Sequence, residues 1–363
     1  MKRVVMLLGL MLIFITACSS EKPTTVDVDN EDPILQVEED SNQSVHSFKA
    51  NPSFFHFVGD WLTDSKILYV EKNEIYQVNY FDIETGESGM IYEDTSFITD
   101  IIVHPSQEYI LIHTSDQSDV AILKVLTTEG TVIHEMEIAS TEITVNWNPV
   151  DAQKLLITAF HEDWTFDIFI FNGHSENLFI VNIDDPFPKW AGTDQVVSIS
   201  FTEHILDGGN LQFLNVENDG ITFSESEDII YFDTYGDRLL TVKSPVNELF
   251  TFLMSSLDGK VISEWQMPAV SNYSEWVIPE VEWINENHML FKSAQKSGQL
   301  DDIGQSFNLY EWIDGVNSTV MEGMGAEPLK CSPTGKYCLS GYTSEELIEK
   351  DTGVKRNWIY FEE

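Results

Sequence analysis

Basic residues are scarce in this chain. Lysine and arginine total 19 against 61 aspartates and glutamates, a formal charge of −42. That balance excludes the phosphate-neutralising surface on which nucleic-acid binding rests, and it removes electrostatic attraction to anionic lipid. It reads instead as adaptation to high salt or high external pH. Cysteine is almost absent, with three residues in 363. Helical periodicity is nearly missing too, apart from a short candidate turn at Ser344-Glu345-Glu346-Leu347-Ile348-Glu349. No apolar run is long enough to span a bilayer as a helix, since the longest, Val4 to Ile15, is about a dozen residues. There is no H-E-x-x-H, G-x-S-x-G, P-loop or G-x-G-x-x-G motif. No catalytic residue is assigned, and no cofactor is expected beyond a divalent cation.

What is present begins with a leader. Met1-Lys2-Arg3 supplies a charged start, Val4 to Ile15 a short apolar core, and Thr16-Ala17 small residues before a cut site, the layout of a secretory signal. Ile15-Thr16-Ala17-Cys18 resembles the bacterial lipobox, which implies cleavage after residue 17 and acylation of Cys18. Residues 18–43 are polar and acidic with little apolar surface to bury, as in a flexible tether. Residues 44–363 remain for a folded domain. The expected location is the outer face of the cell membrane, with the bilayer as partner through acylated Cys18.

Internal periodicity organises that domain. VHPSQEYI from Val103, FDTYGDRL from Phe232 and CSPTGKYC from Cys331 each place apolar residues seven positions apart around a turn. The same spacing occurs at Trp61/Leu68, Trp190/Val197 and Trp283/Leu290, with Trp147/Leu155 one residue longer. The first members are separated by 42, 44, 43, 42, 51 and 48 residues. Between them lie short runs rich in Ile and Val, punctuated by turns such as Glu84-Thr85-Gly86-Glu87, Asp258-Gly259 and Asp314-Gly315; Asn/Asp-Gly favours tight hairpins. Four short strands per 40–50 residues define a propeller blade. The fold class is therefore an all-β, seven-bladed β-propeller, with six or eight blades as alternatives. The last unit runs short after about three strands, and Ser44 to Lys49 is expected to supply its fourth, closing the ring as a monomer.

The Ser332-Pro333-Thr334-Gly335-Lys336 turn resembles the SPDGK turn of TolB-type and WD40-like propeller repeats. Lipobox, acidic tether and degenerate repeats together resemble the uncharacterised bacterial propeller lipoproteins of the YqgU-like kind. The resemblance implies a fold and a location, and it carries no catalytic residues onto this chain.

Loops joining second and third strands edge one end of such a ring. His161, Glu162, Asp163 and Trp164 fall in that loop of the third unit; Glu203, His204 and Asp207 fall in that of the fourth. Together they suit a cation or a small polar ligand, or they are simply solvated acidic loops. Longer segments, Ser293 to Ser306 and Thr343 to Arg356, read as insertions that account for the longer repeat steps and offer binding surface. Cys331 and Cys338 are left open between a disulfide, which the secretory route permits, and two buried small hydrophobes at repeat positions. A three-residue loop after Cys331 would set it opposite Tyr337 instead. Two cysteines alone cannot complete a structural zinc site.

Three functions remain. The leading one is a non-enzymatic binding or scaffold module for another envelope protein. The second is capture of a solute or metal through the loops, and the third a divergent hydrolase or lyase.

Overall fold

A computed structural model describes residues 45–201, 205–218, 220–278, 281–304 and 306–362. Contacts divide the chain into Met1–Gln43 and Ser44–Glu363, and every described residue belongs to the second unit. Cys18 lies outside the described residues.

The strands form antiparallel four-stranded meanders. The first contains Phe55–Trp61, Lys66–Lys72, Tyr76–Asp82 and Ser88–Asp94. The leading strands of the later meanders are Phe97–Val103, Glu142–Trp147, Lys189–Ala191, Ile229–Tyr235, Val281–Asn285 and Leu329–Cys331. Among the described residues this makes seven such units, the fourth and fifth joined by one bridge between Gly209 and Ile229. Seven apolar clusters accompany them, each built from two successive units. The cluster that includes Trp61, Ile67, Tyr337, Leu347 and Trp358 joins the last unit to the first. The architecture is an all-β propeller.

Burial peaks at the second strands and falls towards the outer edge. Lys154–Phe160, a second strand, is buried over five consecutive residues because both of its faces meet neighbouring sheets. The outer strand Val132–Ala139 alternates exposed and buried towards its end, one face in water. Asp314 and Gly315 both have positive φ, 48° and 92°, the primed turn that matches strand twist and that glycine adopts without strain.

Closure differs from expectation. The last unit completes itself with Leu329–Cys331, Tyr337–Ser340, Glu346–Glu349 and Val354–Asn357. Phe48–Ala50 instead pairs in parallel with Ile359–Phe361, beyond that sheet. Terminal pairing therefore occurs, but not as a missing fourth strand. The candidate helical turn at 344–349 is mostly strand, because Leu347 and Ile348 both enter the core beside Leu339 and Cys338.

The seven-residue repeat spacing is a cross-strand pair at Val103↔Ile110 and Cys331↔Cys338. Elsewhere it slips: Trp61 faces Ile67, Trp190 faces Val196 and Trp283 faces Met289. Hairpin loop length sets that register. In the last unit Ser332 N–H donates to Tyr337 O at 2.8 Å and Gly335 N–H to Ser332 O at 2.7 Å. The loop between Ser332 and Tyr337 thus holds four residues, with Gly335 at φ 71°, and not the three expected. Cys331 consequently faces Cys338 rather than Tyr337, their Cα atoms 3.9 Å apart, and a disulfide joins them. The Cys331 N–H donates to the Glu282 carboxylate at 3.2 Å. That leaves the cysteine pair at a non-hydrogen-bonded position, where antiparallel strands approach most closely.

His104 is a buried strut between the second and third units. It lies 2.9 Å from Asn148 O and 2.9 Å from Ser106 Oγ, its ring edge-on to Trp147. Burial pushes its pKa below the usual histidine value. A folded pKa below the unfolded one means His104 favours the fold fully above about pH 6.5, and this contribution fades as pH falls through the folded value. Urea unfolding of wild type and His104→Gln at pH 7.5 and pH 5.5 should show the gap between them shrinking at the lower pH. An equal gap at both values would refute the assignment.

Candidate functional site

Because each unit is a meander, loops between second and third strands emerge at one end with the connections from each fourth strand to the next unit. Hairpins between first and second strands emerge at the other end. His161 to Trp164 lie at the first end, between Lys154–Phe160 and Phe166–Asn172. The polar groups of His161 and Asp163 are spent inside their own hairpin. His161 Nε2 lies 3.1 Å from Asp167 Oδ2, and His161 N–H donates to Thr165 O at 2.9 Å. Asp163 Oδ1 accepts from Thr165 Oγ1 at 2.6 Å and from Thr165 N–H at 3.1 Å, bonds that lower its carboxyl pKa. Glu162 is exposed, and Trp164, at φ 66° and 92 % exposed, points away from the hairpin.

The matching loop of the fourth unit holds Ile205–Asp207 as a short 3-10 turn with Asp207 exposed. Glu203 and His204 lie outside the described residues. The Leu206 carbonyl accepts from Ser244 Oγ at 2.7 Å and from Trp276 Nε1 at 3.0 Å. That ties the loop towards the fifth unit and the linker after it. Among the described residues no group of three His, Cys, Asp or Glu side chains is placed to hold a metal.

The longer repeat steps come in part from the expected insertion after Ser293 and in part from a linker. The step of 51 residues contains the linker 269–278, and the step of 48 contains the segment 295–306. The two meet: Val270–Asn272 pairs with Glu275–Trp276 and, in parallel, with Gly298–Gln299, which leads into the helix Leu300–Ile303. Tyr273 is held at its tip by hydrogen bonds with Gln299 Oε1 (3.2 Å) and Asp301 (3.3 Å). Thr343 to Arg356 is no insertion, since it contains the third and fourth strands of the last sheet. The excess in the fifth step was the signal for the linker.

This end gathers large exposed apolar side chains: Trp164, Tyr342, Tyr273, Val246 and Phe187, the first three more than 70 % exposed. Their backbones occupy different loops, so the exposure is a property of the whole end and not of one insertion.

Most residues just before a repeat anchor line the axial cavities, namely Asp60, Lys189, Tyr231, Glu282 and Lys330. The full set runs Asp60, Ile102, Asn146, Lys189, Tyr231, Glu282 and Lys330. Several clamp the next unit by accepting the N–H of its anchor: Asp60 from Val103 (2.8 Å), Asn146 from Trp190 (2.9 Å) and Glu282 from Cys331 (3.2 Å). Lys330 closes the circle, donating to Gly59 O at 3.3 Å and lying 3.8 Å from Asp60. Lys189 pairs with Asp233 at 2.8 Å, which also accepts from Tyr231 OH at 3.1 Å. Inside this wall is a cavity of about 470 Å³ lined by residues that include Asp100, Lys189, Tyr231, Asp233, Glu282 and Lys330. A second, of about 190 Å³, continues towards the hairpin end; Glu282 and Lys330 line both and mark their boundary. Sequence reading missed this ring, although its signal was visible as the position preceding each anchor.

Four-stranded radial sheets, shared clusters between neighbours and a polar axial cavity define a β-propeller. The chain belongs to the YqgU-like 6-bladed beta propeller domain family, whose model matches residues 82–341. That span begins at the end of a third strand in the first unit and stops inside the last. The chain is similar to the uncharacterized lipoprotein YqgU of Bacillus subtilis, with 23 % identity over 295 residues, covering 79 % of this chain and 80 % of that one. Among solved structures, the uncharacterized protein lmo1340 from Listeria monocytogenes EGD-e shares the fold at a TM-score of 0.79 and 19 % identity, over 87 % of this chain and 98 % of that one. The β-propeller domain of the Trilobed protease from Pyrococcus furiosus, described as having an open velcro topology, is similar at 0.57 and 15 % identity, over 85 % and 99 %.

Proposed function

We propose that this chain is a membrane-anchored, non-enzymatic binding module. Cys18 carries the lipid, residues 18–43 form the tether, and the propeller holds another envelope protein outside the cytoplasm. The ring is read as seven-bladed, where the family description gives six, on the strength of the seven sheet units and seven inter-unit clusters among the described residues. The lipoprotein name of the Bacillus subtilis relative supports the anchor.

The observation that carries the binding role is the group of exposed apolar side chains on the loop end, Trp164, Tyr342 and Tyr273 foremost. Large aromatics left in water cost free energy that a partner's surface recovers, and such residues dominate interface energetics. A metal version of the role, placed at His161 to Asp163, has weak support, because the His161 and Asp163 side chains already bond within their hairpin.

A photo-crosslinking amino acid placed at Trp164 or Tyr342 in intact cells should give one discrete protein adduct. The same group at Val316, on the opposite end, should give none. Equal labelling from both ends, or none from the loop end, would overturn the reading.

A further inference from the structure

We propose that the axial cavity is a binding site for a short aliphatic amine carrying one or two ammonium groups. Among the described residues the wall of the channel carries four carboxylates, Asp60, Asp100, Asp233 and Glu282, against two lysines, Lys189 and Lys330. Both lysines already meet carboxylates, Lys189 that of Asp233 and Lys330 that of Asp60. Three of the four carboxylates are likewise engaged with lysines or with amides of the adjoining unit.

Asp100 is the exception. Its one hydrogen bond is from the N–H of its own neighbour Ile101, at 2.8 Å, and no described cation lies within 4 Å of it. It lines the cavity and is exposed to its water. Loss of bulk water around it raises its carboxyl pKa, with Lys330 and the Ile101 amide opposing and Asp60 adding to the rise.

These features select the ligand class. An anion would meet a wall with excess negative charge. A divalent metal needs several convergent oxygens, whereas Asp60 and Glu282 are turned to the amides of Val103 and Cys331, and the described residues hold no three-ligand group. An ammonium needs only one free carboxylate in the cavity wall to form a charge-assisted hydrogen bond. Val58, Val281 and Leu329 line the same cavity and offer apolar wall to a methylene chain. About 470 Å³ lies within the range of small-molecule sites.

The probe is 1,4-diaminobutane, titrated calorimetrically into the full-length protein in detergent at physiological salt, with 1,4-butanediol as the uncharged isostere. Saturable one-to-one binding of the diamine and none of the diol is expected. Asp100→Asn, which preserves shape and the Ile101 bond, should weaken binding at least tenfold, while the surface variant Asp351→Asn should leave it unchanged. Non-saturable uptake, equal binding of the diol, or equal weakening in both variants would overturn the proposal by marking surface counter-ion exchange or non-ionic partition. Unaltered binding in Asp100→Asn would overturn it as well. Should Asp100→Asn fail to fold, Asp100→Ser carries the same expectation of at least tenfold weakening and the same consequence if binding is unchanged.

Discussion

Replacing Trp358 with alanine should cost about 3–5 kcal/mol of stability, close to the upper range for a buried tryptophan. Trp358 is fully buried, stacked 6.1 Å from both Phe48 and Phe81, and its Nε1 donates to Ser344 O at 2.7 Å. Its backbone carbonyl also accepts from Phe48 N–H, the start of the terminal strand pair. One side chain thus touches the N-terminal strand, the first sheet and the last sheet, the three parts that close the propeller. Removing it leaves a cavity, an unpaired carbonyl and a weakened seam. Equilibrium urea unfolding measures the loss, and Trp164→Ala supplies the contrast. Trp164 is almost wholly exposed, so the same substitution there should change stability by less than about 0.5 kcal/mol. A cost below about 1.5 kcal/mol for Trp358→Ala would mean that the seam is not held there.

Severing the Cys331–Cys338 disulfide should cost about 2–3 kcal/mol. The crosslink closes a short loop, with a sequence separation of 7, and the chain-entropy relation gives that magnitude for so small a ring. Replacing both cysteines with alanine tests this without leaving a buried thiol. Cys338 is completely buried beside Leu290, Leu309 and Ile348, so alanine also loses some packing there. Mass spectrometry after alkylation without reductant should find neither residue modified. Labelling of both cysteines, or a double variant as stable as wild type, would show that packing alone sets this hairpin. Because the Cys331 amide is clamped by Glu282, loss of the crosslink should also loosen the wall between the two axial cavities.

The repeat was legible in the sequence because packing between blades imposes it. Each inner strand is sandwiched by two neighbours, so Trp61, Trp147, Trp190 and Phe232 recur at near-constant spacing and are buried. The alternation of strand and turn, and the hairpins at Asp258-Gly259 and Asp314-Gly315, follow from local chemistry and were readable for that reason. Register was not. A one-residue change in loop length moves every partner, and the four-residue turn after Ser332 decided whether two cysteines could meet.

The loop site shows the same division. Residue types at His161 to Trp164 suggested a ligand, but short-range bonds to Thr165 and Asp167 consume the polar groups of His161 and Asp163 and leave the tryptophan outside. The sequence by itself determined an all-β repeat, its apolar anchors and the acidity of its surface, since these depend on composition and on spacing along one chain. Tertiary structure alone decided the parallel pairing of the termini, the meeting of the 269–278 linker with residues 295–306, and the axial ring from Asp60 to Lys330. Those features join residues tens to hundreds of positions apart, and only closure of the sheets around an axis brings them within hydrogen-bonding distance.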